Sequence, residues 1–314
     1  MGGIDVSFVI PCYKSERSIS KVVREILETV DPRHSFEIIL VNDGSPDNTM
    51  GVIRQQCKTY PQLVKGINLS RNFGQSSAIM AGLNNSKGDI IVCLDDDGQS
   101  PVDSIETMIG KIEEGYDLVY ADYLEKKESA FRLFGSRINE LMMTSLLNKP
   151  KEITVNSFFA CSRMVVDEVI NYKGAFPYLP GLVLRATRNI TNVKVVHRER
   201  AEGRSGYTFK KLLSLWINGF TSFSVKPLRV AVFLGIFFSL IGFVFIAVLL
   251  IRKMMGSSVQ IGWTSIISVI TFFDGLMLIV MGLVGEYVGR IYLCINSTPQ
   301  FVVKERIGLE ETTD

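Results

Sequence analysis

At 314 residues, 47% of them apolar, the chain is long enough for about two domains and rich enough for a sizeable core. Lysine and arginine total 34 against 32 aspartates and glutamates, and this net +2 excludes a bulk nucleic-acid binder, whose footprint would be a strongly basic domain. Five cysteines without a CxxC pair, and only two histidines, exclude a zinc centre and read as reduced, buried thiols of a cytosolic compartment.

The first residues hold no basic region followed by an apolar core, so no signal peptide is expected. Val6 to Ile10 reads as a buried strand that stops at Pro11, followed by the loop Cys12 to Glu16. Ser18 or Ser20 then caps a helix whose apolar face is Ile19, Val22, Val23, Ile26 and Leu27. A second strand, Phe36 to Val41, ends at Asn42-Asp43-Gly44-Ser45-Pro46-Asp47. A third, near Val64 to Leu69, leads through Ser70-Arg71-Asn72-Phe73-Gly74-Gln75 into a helix with Ala78, Ile79, Ala81, Gly82 and Leu83. The fourth, Ile90 to Leu94, arrives at Asp95-Asp96-Asp97-Gly98-Gln99. Strands spaced by helices in this way predict a parallel, doubly wound sheet. A helix to Glu114, a strand Asp117 to Ala121, an amphipathic helix within 125–148 and a strand Val193 to His197 complete a soluble domain over 1–206, with weak patterning beyond Val155.

Residues 207–227 place Lys210, Lys211 and Trp216 among apolar residues, the composition of helices lying in a membrane interface. The apolar runs 228–251, with Arg229 at its edge, and 261–285, interrupted by Asp274, are each long enough to span the hydrocarbon. Two spans so close together predict a hairpin, and the excess of lysine and arginine on its flanks over Arg252 and Lys253 in its turn places the flanks in the cytoplasm. Asp274 is expected to be protonated or turned toward protein. In the tail, 286–314, Gln300 to Val303 reads as a strand able to dock on the soluble domain.

The three consecutive carboxylates arrive where a strand ends, and in open α/β sheets that edge is where ligands bind. On an extended chain Asp95 and Asp97 point the same way and can share one hard cation, Mg²⁺ or Mn²⁺, bridging a diphosphate. Asp96 points away and is expected to be replaceable. The competing reading is a solvated acidic turn, since so short a pattern recurs by chance. Loops after three strands bring Glu16, Asp43 and the Asp95 to Asp97 group to one edge, an arrangement that fits a nucleotide. With neither G-x-x-x-x-G-K-[ST] nor G-x-G-x-x-G after the first strand, what remains is transfer of a group carried by a nucleoside diphosphate, with an acceptor at the membrane.

Pro11-Cys12-Tyr13-Lys14-Ser15-Glu16, Asn42 to Thr49, Ser70 to Gln75 with Ala81-Gly82-Leu83, and Asp95 to Gln99 together resemble the family 2 glycosyltransferases of the polyprenyl-phosphate branch. Gly282 to Tyr292 resembles the two-span bacterial members, which include polyprenyl-phosphate glucosyltransferases and the undecaprenyl-phosphate formamido-arabinose transferase; dolichyl-phosphate mannose synthase is similar too. The resemblance implies an α/β GT-A fold, a Rossmann-like and mostly parallel sheet, followed by interface helices and a two-helix transmembrane hairpin. It implies an inverting transferase of the bacterial inner membrane, multi-pass, with a cytoplasmic catalytic domain and a homotetrameric assembly. Its partners are a nucleotide-sugar donor and a polyprenyl phosphate lipid. By matching motif, Asp95 and Asp97 ligate the metal and Gln99 lies beside the donor sugar, these three forming the catalytic group. Pro11, Tyr13, Glu16, Asp43 and Asp95 surround the donor nucleotide. Arg132, Ser136 and Arg137 match an acceptor-phosphate helix, or else form a solvated basic face. Arg200, Arg204, Ser205 and Tyr207 match a loop closing over the diphosphate, or else a polar linker.

Two residues depart from the family pattern. Lys14 stands where asparagine is usual, and Asn156 stands where many members carry aspartate. UDP-glucose is the first expectation for the donor, with UDP-N-acetylglucosamine, GDP-mannose or a formamido-arabinose donor as alternatives. A catalytically inactive scaffold that binds nucleotide sugars is the alternative of another class.

Overall fold

Every residue of the first strand is buried, the signature of a strand covered on both faces. The structure is a computed structural model that describes residues 3–123, 149–150, 152–196, 262–296 and 298–309, together with positions 144, 233, 235, 237, 238, 240, 244, 251 and 255. It divides into Met1–Leu213 with Ser297–Asp314, and Ser214–Asn296.

The first unit is organised on one sheet. Its strands are β1 (Val6–Cys12), β2 (Phe36–Asn42), β3 (Val64–Leu69), β4 (Ile90–Cys93), β5 (Leu118–Tyr123), β6 (Phe159–Ser162), β7 (Ile190–Val195) and β8 (Val303–Ile307), in the order β7-β5-β6-β4-β1-β2-β3-β8. β1 pairs in parallel with β2 and β4, and β2 with β3, so four strands deliver their carboxyl ends to one edge. β6 runs antiparallel to both β4 and β5, which brings the residues entering it back to that edge. The helices of this unit are α1 (Ile19–Thr29), α2 (Thr49–Thr59), α3 (Gln75–Leu83), α4 (Ile105–Glu113), α5 (Arg163–Ile170) and α6 (Leu179–Ala186).

Alternation sorts the side chains between two layers. Phe8, Ile10, Ile38 and Leu40 pack with Ile19, Val22, Val23 and Ile26 of α1, Ile53 of α2 and Met108 of α4. Ile39, Val41, Ile67 and Leu69 face the other way, onto Ala78 and Ala81 of α3. The small residues of α3 let it lie close to the sheet, and a Cβ on Gly82 would run into the Val9 side chain. Ser18 stands at the N-cap of α1 without a side-chain capping bond, so α1 is held by its apolar face.

The strand does not stop at Pro11. Its register with β2 continues through Pro11↔Val41 to Cys12↔Asn42, while its register with β4 ends at Val9↔Cys93. Asp5 and Val9 carbonyls accept from β4, and Cys12 accepts from Asp43 on the β2 side, so Pro11 belongs to the residues that face β4. It falls where that ladder has already ended, and its missing N–H costs no bond. Beyond Val155, where the sequence gives little pattern, the four-residue β6 is followed by α5 and α6.

β8 pairs antiparallel with β3, and the Ser70 N–H donates to the Val302 carbonyl just before it. The strand therefore lies beyond the Gln300 to Val303 stretch that the sequence suggests. Arg54 of α2 forms an ion pair with Glu305 at 2.6 Å, tying the tail to the helix layer.

Ser214–Asn296 contains α7 (Trp263–Ile295), 33 residues long. At 1.5 Å per residue that is about 50 Å, more than the hydrocarbon thickness. It runs past Gly285 because the next residues bring no helix breaker before Pro299. Phe272–Gly289 has mean hydropathy 1.6 and none of it is buried, and among the described residues this is the one helix long and apolar enough to cross a membrane. Met277, Leu278, Ile279 and Met281 are all exposed, so the helix is apolar all round, and Asp274 is exposed among them. The Phe238 ring lies 5.6 Å from that of Phe272 and 6.2 Å from that of Phe273, which sets one residue of the 228–251 run against α7. Otherwise that run and the 207–227 segment fall almost wholly outside the described residues.

At the opposite end of the sheet from the strand carboxyl ends, Glu37 is fully buried and accepts from Ser7 Oγ at 2.6 Å and from the Lys87 N–H at 2.7 Å, with the Lys65 ammonium on its other oxygen. Breaking such a pair strands a buried charge. Lys65→Met is expected to lower the unfolding free energy by about 3 kcal/mol in urea titration, and a loss under about 1 kcal/mol would show that the pair is no more than a surface one.

Candidate active site

The end of β4 is a turn whose three carboxylates each bind a different part of the protein. Asp95 accepts from Gln75 Nε2 at 2.7 Å and from Ser157 Oγ at 2.5 Å, one donor from the start of α3 and one from the segment entering β6. Asp96 accepts from the Tyr13 N–H at 2.9 Å, and the Ser15 hydroxyl donates to the same oxygen. Asp97 accepts from the N–H and the side-chain amide of Gln99, at 3.0 and 2.9 Å, across a turn made possible by Gly98 at φ +72°.

Burial raises the pKa of Asp95 to about 6, the Ser157 bond opposes the rise, and the neighbouring Asp97 and Asp96 charges add to it. Asp96 is also raised, chiefly by burial, against its bonds to Ser15 and Tyr13. Half-buried carboxylates set side by side form a hard, all-oxygen donor set of the kind that a divalent cation satisfies. Among the described residues no group of three or more histidine, cysteine, aspartate and glutamate side chains converges on one point. Two carboxylates leave room for oxygens of a bound diphosphate and water, which is how magnesium and manganese are commonly held.

The β1–α1 loop faces this turn. Tyr13 is 46% exposed, and the Lys14 ammonium lies 5.6 Å from the centre of its ring. Lys14 has φ +60°, a left-handed conformation that asparagine adopts readily and lysine rarely. Ser15 gives its N–H to Thr49 Oγ1 at 2.8 Å, and Glu16 accepts from the Asn48 N–H at 3.0 Å, which ties the loop to the start of α2.

Asp43, at the end of β2, is buried and raised in pKa by that burial, and the two backbone N–H bonds to it oppose the rise. Those bonds come from Phe73 at 2.7 Å and Gly74 at 2.9 Å, one to each oxygen. The loops after β2 and β3 are thereby clamped together, and Gly44 permits it: at φ +60°, a Cβ there would collide with the Arg71 main chain. The Arg71 guanidinium stacks on Phe73 at 4.4 Å.

Pro11, Tyr13, Glu16, Asp43, Asp95, Asp97 and Gln99 thus all stand at the carboxyl edge of the sheet. Arg132, Ser136, Arg137, Arg200, Arg204, Ser205 and Tyr207 lie outside the described residues. Sequence reasoning passes over Gln75, Ser157 and Ser15 as site residues and treats Asp96 as dispensable. Gln75 closes the Ser70 to Gln75 motif, whereas Ser157 reaches the turn only because β6 returns antiparallel. Asn156, beside it, accepts from Ser157 Oγ at 3.3 Å and supplies no carboxylate.

The Glycosyl transferase family 2 profile matches residues 7–170. The chain is 35% identical over 309 residues to the uncharacterized glycosyltransferase YkcC of Bacillus subtilis (strain 168), covering 98% of this chain and 95% of that one. It is 34% identical over 307 residues to the undecaprenyl-phosphate 4-deoxy-4-formamido-L-arabinose transferase of Serratia proteamaculans (strain 568), covering 96% and 94%. Glucosyl-3-phosphoglycerate synthase from Mycobacterium tuberculosis has the same fold, with TM-score 0.51 and 18% identity over 69% of this chain and 79% of that one.

Two outcomes follow from the turn and its facing loop. Asp95 is raised in the folded protein, so its proton stabilises the fold below about pH 4 and that contribution is lost as pH rises through about 6. Asp95→Asn, in metal-free protein, should therefore gain stability relative to the unsubstituted chain between pH 4 and 7, and a pH-independent difference in unfolding free energy would contradict this. Lys14→Asn should raise stability by about 1 kcal/mol by relieving the left-handed backbone. A lower melting temperature for that variant would show that the lysine side chain is worth more than the strain.

Proposed function

The chain belongs to glycosyl transferase family 2, and on that premise we propose that it transfers a sugar from a nucleoside diphosphate to a polyprenyl phosphate at the cytoplasmic membrane face. That it is a glycosyltransferase follows from the family. The observation that carries the proposal is the Asp95 to Asp97 turn facing the Tyr13 loop at one sheet edge, in a chain that also holds the exposed apolar helix α7. Relatives named as undecaprenyl-phosphate transferases align over nearly their whole length, the region of α7 included, and support a lipid phosphate acceptor.

In this reading the nucleoside lies along Pro11, Tyr13 and Glu16. Asp43 acts by clamping the loops after β2 and β3, which shapes the floor under the base. Asp97 and Asp95 hold a Mg²⁺ or Mn²⁺ ion, which when bound neutralises charge on the departing diphosphate. Gln99 fixes the Asp97 carboxylate and borders the sugar. The acceptor is a phosphate monoester with a second pKa near 6, hence largely dianionic at neutral pH, and needs no protein base. Asn156 in place of a carboxylate fits such chemistry. An oxygen of the acceptor phosphate attacks the anomeric carbon from the side opposite the diphosphate; the bond between that carbon and the diphosphate oxygen breaks, the nucleoside diphosphate leaves, and the configuration is inverted. Arg132, Ser136 and Arg137 are proposed to hold that phosphate, and Arg200, Arg204, Ser205 and Tyr207 to close on the donor.

UDP-glucose is the donor proposed first, from the resemblance to two-span glucosyltransferases. A formamido-arabinose donor is the second reading, favoured by the names of the relatives. Full-length protein with undecaprenyl phosphate, Mn²⁺ and labelled UDP-glucose, UDP-N-acetylglucosamine, GDP-mannose and UDP-formamido-arabinose should give one lipid-linked product. Asp97→Ala should cut its formation at least about 100-fold. No product from any donor, or full activity in the Asp97 variant, would sink the reading and leave the nucleotide-sugar-binding scaffold in its place.

A further inference from the structure

Asp96 is the carboxylate that the proposed pair of metal ligands leaves out, and both of its donors come from the β1–α1 loop. β1 and β4 pair only as far as Val9 and Cys93, with a last bond from the Leu94 N–H to the Val9 carbonyl at 3.3 Å. The residues of β1 that face β4 come every second position, so the next two are Pro11 and Tyr13. Pro11 has no N–H to give. The Tyr13 N–H is donated to Asp96, where a strand would have offered a carbonyl, and the Ser15 hydroxyl joins it on the same oxygen. One side chain thus bridges the gap that opens between the two strands, at the point where one carries the donor loop and the other the carboxylates.

We propose that Asp96 is a positioning residue that fixes the distance between the Tyr13 to Ser15 loop and the backbone from which Asp95 and Asp97 project. The loop and the carboxylates then bind one donor molecule as a single preorganised surface. In its absence the loop must be ordered by the donor itself, and donor affinity falls while the reacting groups stay in place. This rests on the reading that the Tyr13 loop holds the donor nucleoside. It also reverses the expectation that Asp96 is the expendable member of the three.

The test uses the full chain in detergent and compares Asp96→Ala, Asp96→Asn and Ser15→Ala. Asp96→Ala should raise the donor KM about tenfold or more, with kcat changed less than about threefold. Asp96→Asn keeps an acceptor for both donors and should recover most of the loss. Ser15→Ala should show a smaller effect that disappears in the Asp96→Ala background, because both substitutions break the same link. Amide exchange of the peptide spanning 11–17, read without substrate, should be faster in Asp96→Ala and near normal in Asp96→Asn. Unchanged exchange overturns the proposal, as does a fall in kcat with KM unmoved, which would make Asp96 a group acting on the reaction itself. A general loss of stability with unaltered KM in the folded fraction overturns it too. If no donor is turned over by the unsubstituted chain, the transferase reading fails, and the exchange measurement still decides the role of Asp96.

Discussion

The constraint on which the site depends is that β1 and β4, hydrogen-bonded up to Val9 and Cys93, have to part there while still presenting one surface. Parallel neighbours at the middle of a sheet separate only if one of them runs out of main-chain donors or bends away. Pro11 removes the donor. What replaces the ladder is a side chain, Asp96, and a side-chain link leaves more room between the strands than an N–H to carbonyl bond would. The parting of the strands at the carboxyl edge is therefore built into the pairing of the two central strands, and does not rely on loops finding their own arrangement.

Three carboxylates crowded at that edge resist burial and repel one another, and burial first, then the Asp97 and Asp96 charges, raise the pKa of Asp95. Each is compensated by donors from a separate element: Gln75 of α3 and Ser157 before β6 for Asp95, the β1–α1 loop for Asp96, and Gln99 for Asp97. These donors are neutral amides, main-chain N–H groups and hydroxyls, which hold the carboxylates in place without carrying charge. Glu37, a fully buried carboxylate with a lysine partner, sits at the opposite end of the strands.

Much of this was legible in the sequence, and the limits are physical. Apolar runs ending in Asn42-Asp43-Gly44 and Asp95-Asp96-Asp97 announce strands that stop at one edge, because turn residues and periodicity are local signals. The parallel order of β1 to β4 followed from the helices between them. β6 was not legible: four residues, Phe159-Ala160-Cys161-Ser162, are too few to show a period, and only the antiparallel pairing with β4 and β5 defines them. Ser157 was hidden for the same reason. The end of β1 was misread because proline is a local stop signal, whereas whether it stops a strand depends on which neighbour it faces. Strand geometry tells where the Asp96 side chain points, but not that a main-chain N–H 83 residues earlier in the chain donates to it. The partners of Asp43 are likewise backbone amides, which no residue pattern reveals.

The absence of a carboxylate at Asn156 acquires its meaning from these same arrangements. Were the acceptor an alcohol, a base would have to take its proton at the carboxyl edge, and the carboxylates of the turn are already bonded: Asp96 to the loop, Asp95 to Gln75 and Ser157, and Asp97 to Gln99. A phosphate acceptor arrives already ionised and asks only for positive charge and a clear approach. An edge whose acids are held by donors of the protein, with neutral Asn156 and Ser157 beside them, suits the phosphate acceptor proposed above. The long helix α7, apolar on every side, is matched to the one common source of such a phosphate that is carried on a lipid.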